Sequence, residues 1–409
     1  MILLFLLLVI LLMYIEYKRT NIFFSYYTLF LLYWFLYTVG IYLSGATIND
    51  DIVFTTYLIL FAGLFFVLGY NFIPIGTKKF KQRKQFIITK TSNLSVPLVI
   101  IAFIAISLFF YVVVLKIGIQ DYFFTSRANR SLICRPYSHF MIFIDLFNFI
   151  SVLSLFLYLK TKRTVYKRMF IIVFFVAISH AVLTISRNNL VLLVMPTLYL
   201  FHYYNYIKTK TIIVFLMLGI FVAVIWKVLL FNLIIGDSFS ISNVIENIKF
   251  PREFVVWQEI SQNLLKEDVV LYGRSYLDAF INLLYPFNHT ENLSLWYVKT
   301  FEPHTFAIGG GRGFSNILEA YINFDIIGVV LFFFLFGITI YLFQRKSMVS
   351  IYFFLPYAFS LAFVHRIFRS DFLSLTKTWW WMYFMSFVLL FLFFKLLPKR
   401  DHENYILNK

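Results

Sequence analysis

The chain of 409 residues is 61% hydrophobic and 22% aromatic, with only 13% charged residues and a mean hydropathy of +0.82. A soluble domain needs a charged, solvated surface, so this composition excludes one and points to an all-α polytopic membrane protein. The net charge of +17 would suggest nucleic acid in a soluble protein, but most of the cations lie in short loops beside apolar runs, so topology accounts for them and no nucleic-acid partner is expected. The single cysteine, Cys134, excludes a disulfide framework and any CxxC metal or redox site.

In chain order, hydropathy predicts about eleven spans, each near the ~20 residues that cross a hydrocarbon core. They fall at 1–16, 21–43, 52–73, 94–115, 138–159, 169–185, 190–207, 211–236, 315–343, 350–366 and 376–397. The run from Met1 to Ile15 has no basic leader and no small-residue cleavage site, so it is expected to stay as the first helix. Basic residues crowd the connections at Lys78–Lys90, Lys160–Arg168, Lys208–Lys210 and Arg345–Lys346, which the positive-inside rule makes cytoplasmic. The expected organisation is residues 1–236 as helices one to eight, 237–314 as an extracytoplasmic loop, 315–397 as helices nine to eleven, and 398–409 as a cytoplasmic tail.

This topology sorts the cations. The outer side carries Arg127, Arg130, Arg135, Arg187, Arg252, Arg274, Arg312, Arg366 and Arg369 against Lys116, Lys249, Lys266, Lys299 and Lys377. Arginine's planar fork binds phosphate or carboxylate through two parallel hydrogen bonds, so an outer face rich in arginine fits either an anionic ligand or phospholipid headgroups.

The outer loop is long enough to have structure of its own. PREFVVWQEISQNLLKED places Phe254, Val255, Trp257, Ile260, Leu264 and Leu265 near one helical face, with Pro251 at the helix start. A second helix is predicted from Ser275, with Ser275 and Asp278 as a capping-box-like pair, ending near Pro286. The loop therefore reads as a small helical cap.

Chemistry gathers where the cap meets the ninth span. Gly309, Gly310, Gly311 and Gly313 surround Arg312, and Ser315 is a natural N-cap for the helix that follows. Free amides, the positive helix end and a guanidinium would make an anion site there; the other reading is a flexible interfacial turn. Glu319 follows one turn inside an apolar helix, with Asn316 and Asn323 on the same face. An ionisable group at that depth is a functional candidate, either as an acid or base or in an orienting salt bridge with Arg312 or Arg187. His304 is the candidate general base, since histidine changes charge near neutral pH, although a loop histidine is often only solvated. Two short turns, Ser186–Asn189 and His365–Asp371, are placed to face the same cavity. Tyr272, Tyr276, Tyr285, Trp296 and Tyr297 in the cap either offer stacking faces to a ligand or form an interfacial belt. Asp145 and Lys227 read as a structural pair within the spans.

The turn SRNNLVLLVMP, the long outer loop, GGGRGFSNILEAYINF and HRIFRSDF together resemble the O-antigen polymerases, the Wzy-type oligosaccharide repeat unit polymerases. The resemblance implies a GT-C-like, metal-independent membrane glycosyltransferase without cofactor. It would transfer a growing glycan from undecaprenyl pyrophosphate to the next lipid-linked repeat unit, at the periplasmic face of the bacterial inner membrane. Its implied partners are the lipid-linked donor and acceptor, membrane lipids, a chain-length regulator and a flippase. By residue, Arg187 matches the family's SR turn, Arg312, Glu319, Tyr321 and Asn323 match its glycine turn and AE-x-Y-x-N helix entry, and Arg366 and Arg369 match its late arginine turn. Together with the residues singled out above, the candidate catalytic set is His304, Glu319 and Arg312, and the candidate pyrophosphate- or sugar-binding set is Arg187, Arg366, Arg369, Arg274, Gly310, Gly311, Asn323 and Tyr321. The cap aromatics would then stack on sugar faces. A glycine commonly follows the asparagine–aromatic pair, and here Asp325 stands in its place. The O-antigen ligases, and a lipid-linked oligosaccharide flippase or transporter, are the alternatives.

Overall fold

The computed structural model describes residues 2–43, 50–73, 95–125, 127–137, 146–184, 186–219, 260–284, 291–307 and 312–380, together with 384 and 388. Among them every regular element is a helix. The first nine are α1 (Ile2–Thr20), α2 (Tyr26–Leu43), α3 (Asp50–Phe72), α4 (Ser95–Phe109, continued to Ile117 as a π-helix), α5 (Ile119–Phe123), α6 (Arg127–Cys134), α7 (Leu146–Thr161), α8 (Thr164–Leu183) and α9 (Arg187–Tyr203). The outer-loop region contributes a helical stretch at 260–266, then α10 (Arg274–Leu284), α11 (Leu293–Phe301) and α12 (Pro303–Ala307). The C-terminal part holds α13 (Asn316–Ser347), α14 (Ile351–Ser360), α15 (Val364–Ile367) and α16 (Phe372–Thr378).

Four described helices are long and apolar enough to cross a membrane: Asp50–Phe72, Leu98–Ile117, Thr164–Leu183 and Asn316–Ser347. Leu146–Thr161, Thr209–Gly219 and Phe353–Ile367 are shorter apolar helices. The chain is thus a multi-pass membrane protein. The Asp145–Lys227 pair, Phe254, Val255, Trp257 and most of the last expected span lie outside the described residues. The expected amphipathic cap helix is described only in its C-terminal part, where Ile260 and Leu264 are buried.

The long helix α13 is the axis of the fold, and α3 runs along it at backbone contact. A Cβ on Gly69 would sit 1.9 Å from the Phe334 carbonyl oxygen, and one on Gly337 would sit 2.3 Å from that of Phe66. Small residues at such a crossing let two helix backbones meet, which is how membrane helices gain packing without a hydrophobic driving force between them. Above and below the crossing, Phe30, Phe66, Tyr70 and Tyr27 stack in a continuous aromatic layer, with Phe30 and Phe66 centroids 3.7 Å apart.

The first helix runs past its expected end at residue 16 because the charges there are satisfied inside the protein. Glu16 pairs with Arg19 one turn later. It also accepts from Tyr70 Oη at 2.8 Å and from Gln344 Nε2 at 3.2 Å. Arg19 lies over the Tyr70 and Tyr341 rings. This polar knot ties α1 and α3 to the C-terminal end of α13, while the functional candidates lie at its N-terminal end.

Candidate active site

Helix α13 begins as its sequence predicts. Ser315 is the N-cap, its hydroxyl accepting from Ile317 N–H at 3.0 Å and Leu318 N–H at 3.1 Å. After Asn323 the helix breaks: Phe324 and Asp325 leave helical geometry, and Asp325 takes φ +57 and ψ −156. That region of backbone space is close to glycine-only, which gives a physical reason why glycine suits this position. The break separates a short N-terminal segment bearing Glu319 from the long membrane-crossing part.

Glu319 is only 1% exposed. Oε1 accepts from Ser275 Oγ at 2.6 Å and Oε2 from Phe372 N–H at 2.5 Å. Ser275 also accepts from Asn323 Nδ2 at 2.8 Å, so one hydroxyl joins the acid to the asparagine one turn later. The expected capping box at Ser275 is therefore not formed. Helix α10 starts one residue earlier, at Arg274, and the Ser275 side chain is taken up by this buried tertiary network. The alternative of a salt bridge from Glu319 to Arg312 is not taken up: Arg312 Nε donates to both oxygens of Glu302, at 2.8 and 2.9 Å.

Three turns far apart in sequence come together here. Gly313 lies against the second arginine turn, where an added Cβ would be 3.0 Å from Arg369 O and 3.2 Å from its Cγ. Asn316 Nδ2 donates to Ser370 O at 2.7 Å. From the third turn, Asn188 Oδ1 accepts from Arg366 Nε at 3.0 Å. That turn starts α9, with Ser186 as N-cap accepting from Asn189 N–H and Arg187 in the first helical position. Asp371, fully buried, caps α16 by accepting from Ser374 N–H at 2.7 Å. The arrangement brings the turns that carry Arg312, Arg366 and Arg369 together with helix N-termini, and guanidinium groups and helix N-termini are both suited to hold an anion.

Independent of this geometry, a family model described as O-antigen polysaccharide polymerase Wzy matches residues 1–401. The chain belongs to the Wzy family. No curated protein and no solved structure matches it. Wzy membership makes it a polymerase of glycosyltransferase type that works in O-antigen synthesis on lipid-linked oligosaccharide repeat units.

The remaining candidates of this Wzy-family chain are distributed as follows. His304 is exposed on α12 and forms no hydrogen bond or ion pair among the described residues. Arg274 is exposed at the start of α10, and Tyr321 packs edge-on against Phe54 at 5.2 Å. Gly309, Gly310, Gly311 and Tyr285 lie outside the described residues. Of the aromatics expected to stack on sugars, Tyr297 is fully buried against Phe301 and accepts from Asn263. Tyr276 is wedged among Phe324, Phe332 and Phe372. Both are packing residues, and Tyr272 is the exposed one at 84%. Beneath the break, Tyr276, Phe324, Gly328, Leu331 and Phe332 line an apolar cavity of about 230 Å³.

Arg130 is also reassigned. It is buried, and its guanidinium donates to the carbonyls of Tyr122, Thr184, Phe123 and Thr125 at 2.5–3.2 Å. Burial lowers its pKa from the ordinary arginine value. It fastens the loop after α5 to the end of α8, and so supports the Ser186–Asn189 turn instead of offering a charge to a ligand. Ser275, Glu302 and Asn188 were not singled out as ligand-site residues by sequence. The first two matter through partners 44 and 10 residues away, which no local pattern announces.

Proposed function

We propose that this chain polymerises undecaprenyl-pyrophosphate-linked oligosaccharide repeat units at the periplasmic face of the bacterial inner membrane, within about eleven spans. The observation that carries the reading is the convergence of the Ser186–Asn189, Arg312–Ser315 and Arg366–Asp371 turns. The leaving group of the reaction is a lipid pyrophosphate, whose negative charge grows as the glycosidic bond breaks. Preorganised guanidinium groups stabilise such a transition state. Arg312, Arg366, Arg369 and Arg187 fill that role, and Arg274, Gly310 and Gly311 are assigned to the same ligand.

His304 is the general base for the acceptor hydroxyl, a role its exposure supports. Glu319, with both oxygens engaged inside the protein, acts by holding α16 and its arginine turn against the start of α13. Asn323 assists through Ser275. Lys18, Arg19, Arg345 and Lys346, at the end of α13 away from the site, agree with a cytoplasmic position for that end.

The test is to incubate the purified protein with undecaprenyl-pyrophosphate-linked repeat units and a chelator, and to resolve the glycans on a gel. A ladder of lengths is expected. Absence of a ladder, with a single transfer appearing once lipid A core is supplied, would make the chain a ligase.

A further inference from the structure

Helix α11 stands between two arginine turns and is tied at both ends. At its N-terminus, Asn292 Oδ1 caps the helix by accepting from Leu295 N–H at 2.8 Å, while Nδ2 donates across to Ser374 Oγ of α16 at 3.1 Å. Asp371 does the converse. Its Oδ1 caps α16 through Ser374 N–H, and its Oδ2 accepts from Ser294 N–H in the first turn of α11 at 3.0 Å. Each cap residue thus serves its own helix with one atom and the neighbouring helix with another. Ser374 O in turn accepts from Arg366 Nη1 at 3.4 Å.

At the other end Glu302, the C-cap residue of α11, holds Arg312 through both carboxylate oxygens. Nine helical residues span about 13 Å. A helix this short is marginal alone, so its end contacts govern where it sits. Two carboxylates beside the arginines would weaken an anion site unless they serve another purpose, because like charges repel. Holding the arginines in place is such a purpose.

We infer that α11 is a strut, and that Asn292, Asp371 and Glu302 are positioning residues that fix Arg312 relative to the Arg366–Arg369 turn so that one pyrophosphate meets both. The inference rests on the polymerase reading above. Its test uses the full-length protein in nanodiscs with varied concentrations of undecaprenyl-pyrophosphate-linked repeat unit. Asn292→Ser and Asp371→Asn each keep their own helix cap, since Ser, Asn and Asp cap about equally well. Each loses the cross-bond: serine has a single oxygen, used by its own cap and too short to reach Ser374, and asparagine lacks the second acceptor for Ser294 N–H.

Only the second change alters charge. A purely electrostatic role lowers KM for Asp371→Asn and leaves it unchanged for Asn292→Ser, whereas a strut raises KM in both, by at least about five-fold, with kcat changed less. Their double variant should lose no more than the worse single, because either one already frees that end. Glu302→Gln, which leaves both N-caps intact, should also raise KM and decides alone if a cap variant fails to insert. Unchanged KM, a lowered KM in Asp371→Asn or additive losses would overturn the strut. Wild-type kinetics in Arg312→Lys would instead overturn the polymerase site itself, whatever the strut variants do.

Discussion

At the scale of single residues, the two candidate proton acceptors have opposite surroundings. His304 is exposed on a five-residue helix, so removing it should cost catalysis and little else. His304→Ala is expected to slow polymer formation about 10²–10⁴-fold with an unchanged thermal midpoint, and a normal ladder from that variant would remove it from the mechanism. Glu319 is enclosed, and its two oxygens serve the Ser275 hydroxyl and the Phe372 amide. Glutamine offers one acceptor where two are used. Glu319→Gln should therefore destabilise the protein by about 1–3 kcal/mol, the cost of leaving a buried polar group unsatisfied, read as a lower thermal midpoint in detergent. The shape of the pH–rate profile should survive, whereas loss of one limb would make Glu319 the base. Arg312→Ala is expected to abolish polymerisation while the protein still inserts, as followed by gel ladder and membrane fractionation.

At the scale of elements, α13 carries both a strained break and a close crossing, and each has its own test. Asp325 holds a positive φ with ψ near −156, softened only by its Oδ1 accepting from Ile326 N–H at 2.7 Å. Strain of this kind costs about 1–3 kcal/mol, and a glycine gives back about 0.5–1 kcal/mol in chain entropy. Asp325→Gly should thus leave the thermal midpoint unchanged or raise it, and a clear fall would mean the aspartate has a role beyond the turn. Farther along, Gly337 has no room for a side chain against the backbone of Phe66 and Tyr70. Gly337→Val should part α3 from α13, seen as lost thermal stability and reduced membrane yield.

At the scale of the whole molecule, α13 links two buried polar clusters of different kinds. Around Glu319 the partners are a hydroxyl and a backbone amide near arginine turns; around Glu16 they are Arg19, Tyr70 and Gln344, with Tyr357 donating to Gln344 at 2.9 Å. The second cluster joins helices from the two ends of the chain. Breaking a buried pair by removing one partner costs about 3–5 kcal/mol, so Glu16→Ala should lower the thermal midpoint sharply. Its kcat, measured on the protein that remains folded, should stay near wild type because this cluster lies at the far end of α13. A selective loss of kcat would show that the two ends communicate.

Composition, helical periodicity and local caps were legible without a structure, because each depends on residues within a turn or two of one another. Hydropathy alone makes the chain a helical membrane protein, Ser315 caps α13 as its position demands, and the motifs around Arg187, Arg312 and Arg366 suffice for the Wzy resemblance that the family match bears out. The side-chain pairings were decided only by the tertiary structure. Ser275 gives up a plausible local cap for Glu319, Arg312 turns to Glu302, Arg130 is spent on carbonyls, and Asp371 and Asn292 each divide their atoms between two helices. A buried polar group must be satisfied by whatever neighbour the packing supplies, and that neighbour is set by how helices from distant parts of the chain come together.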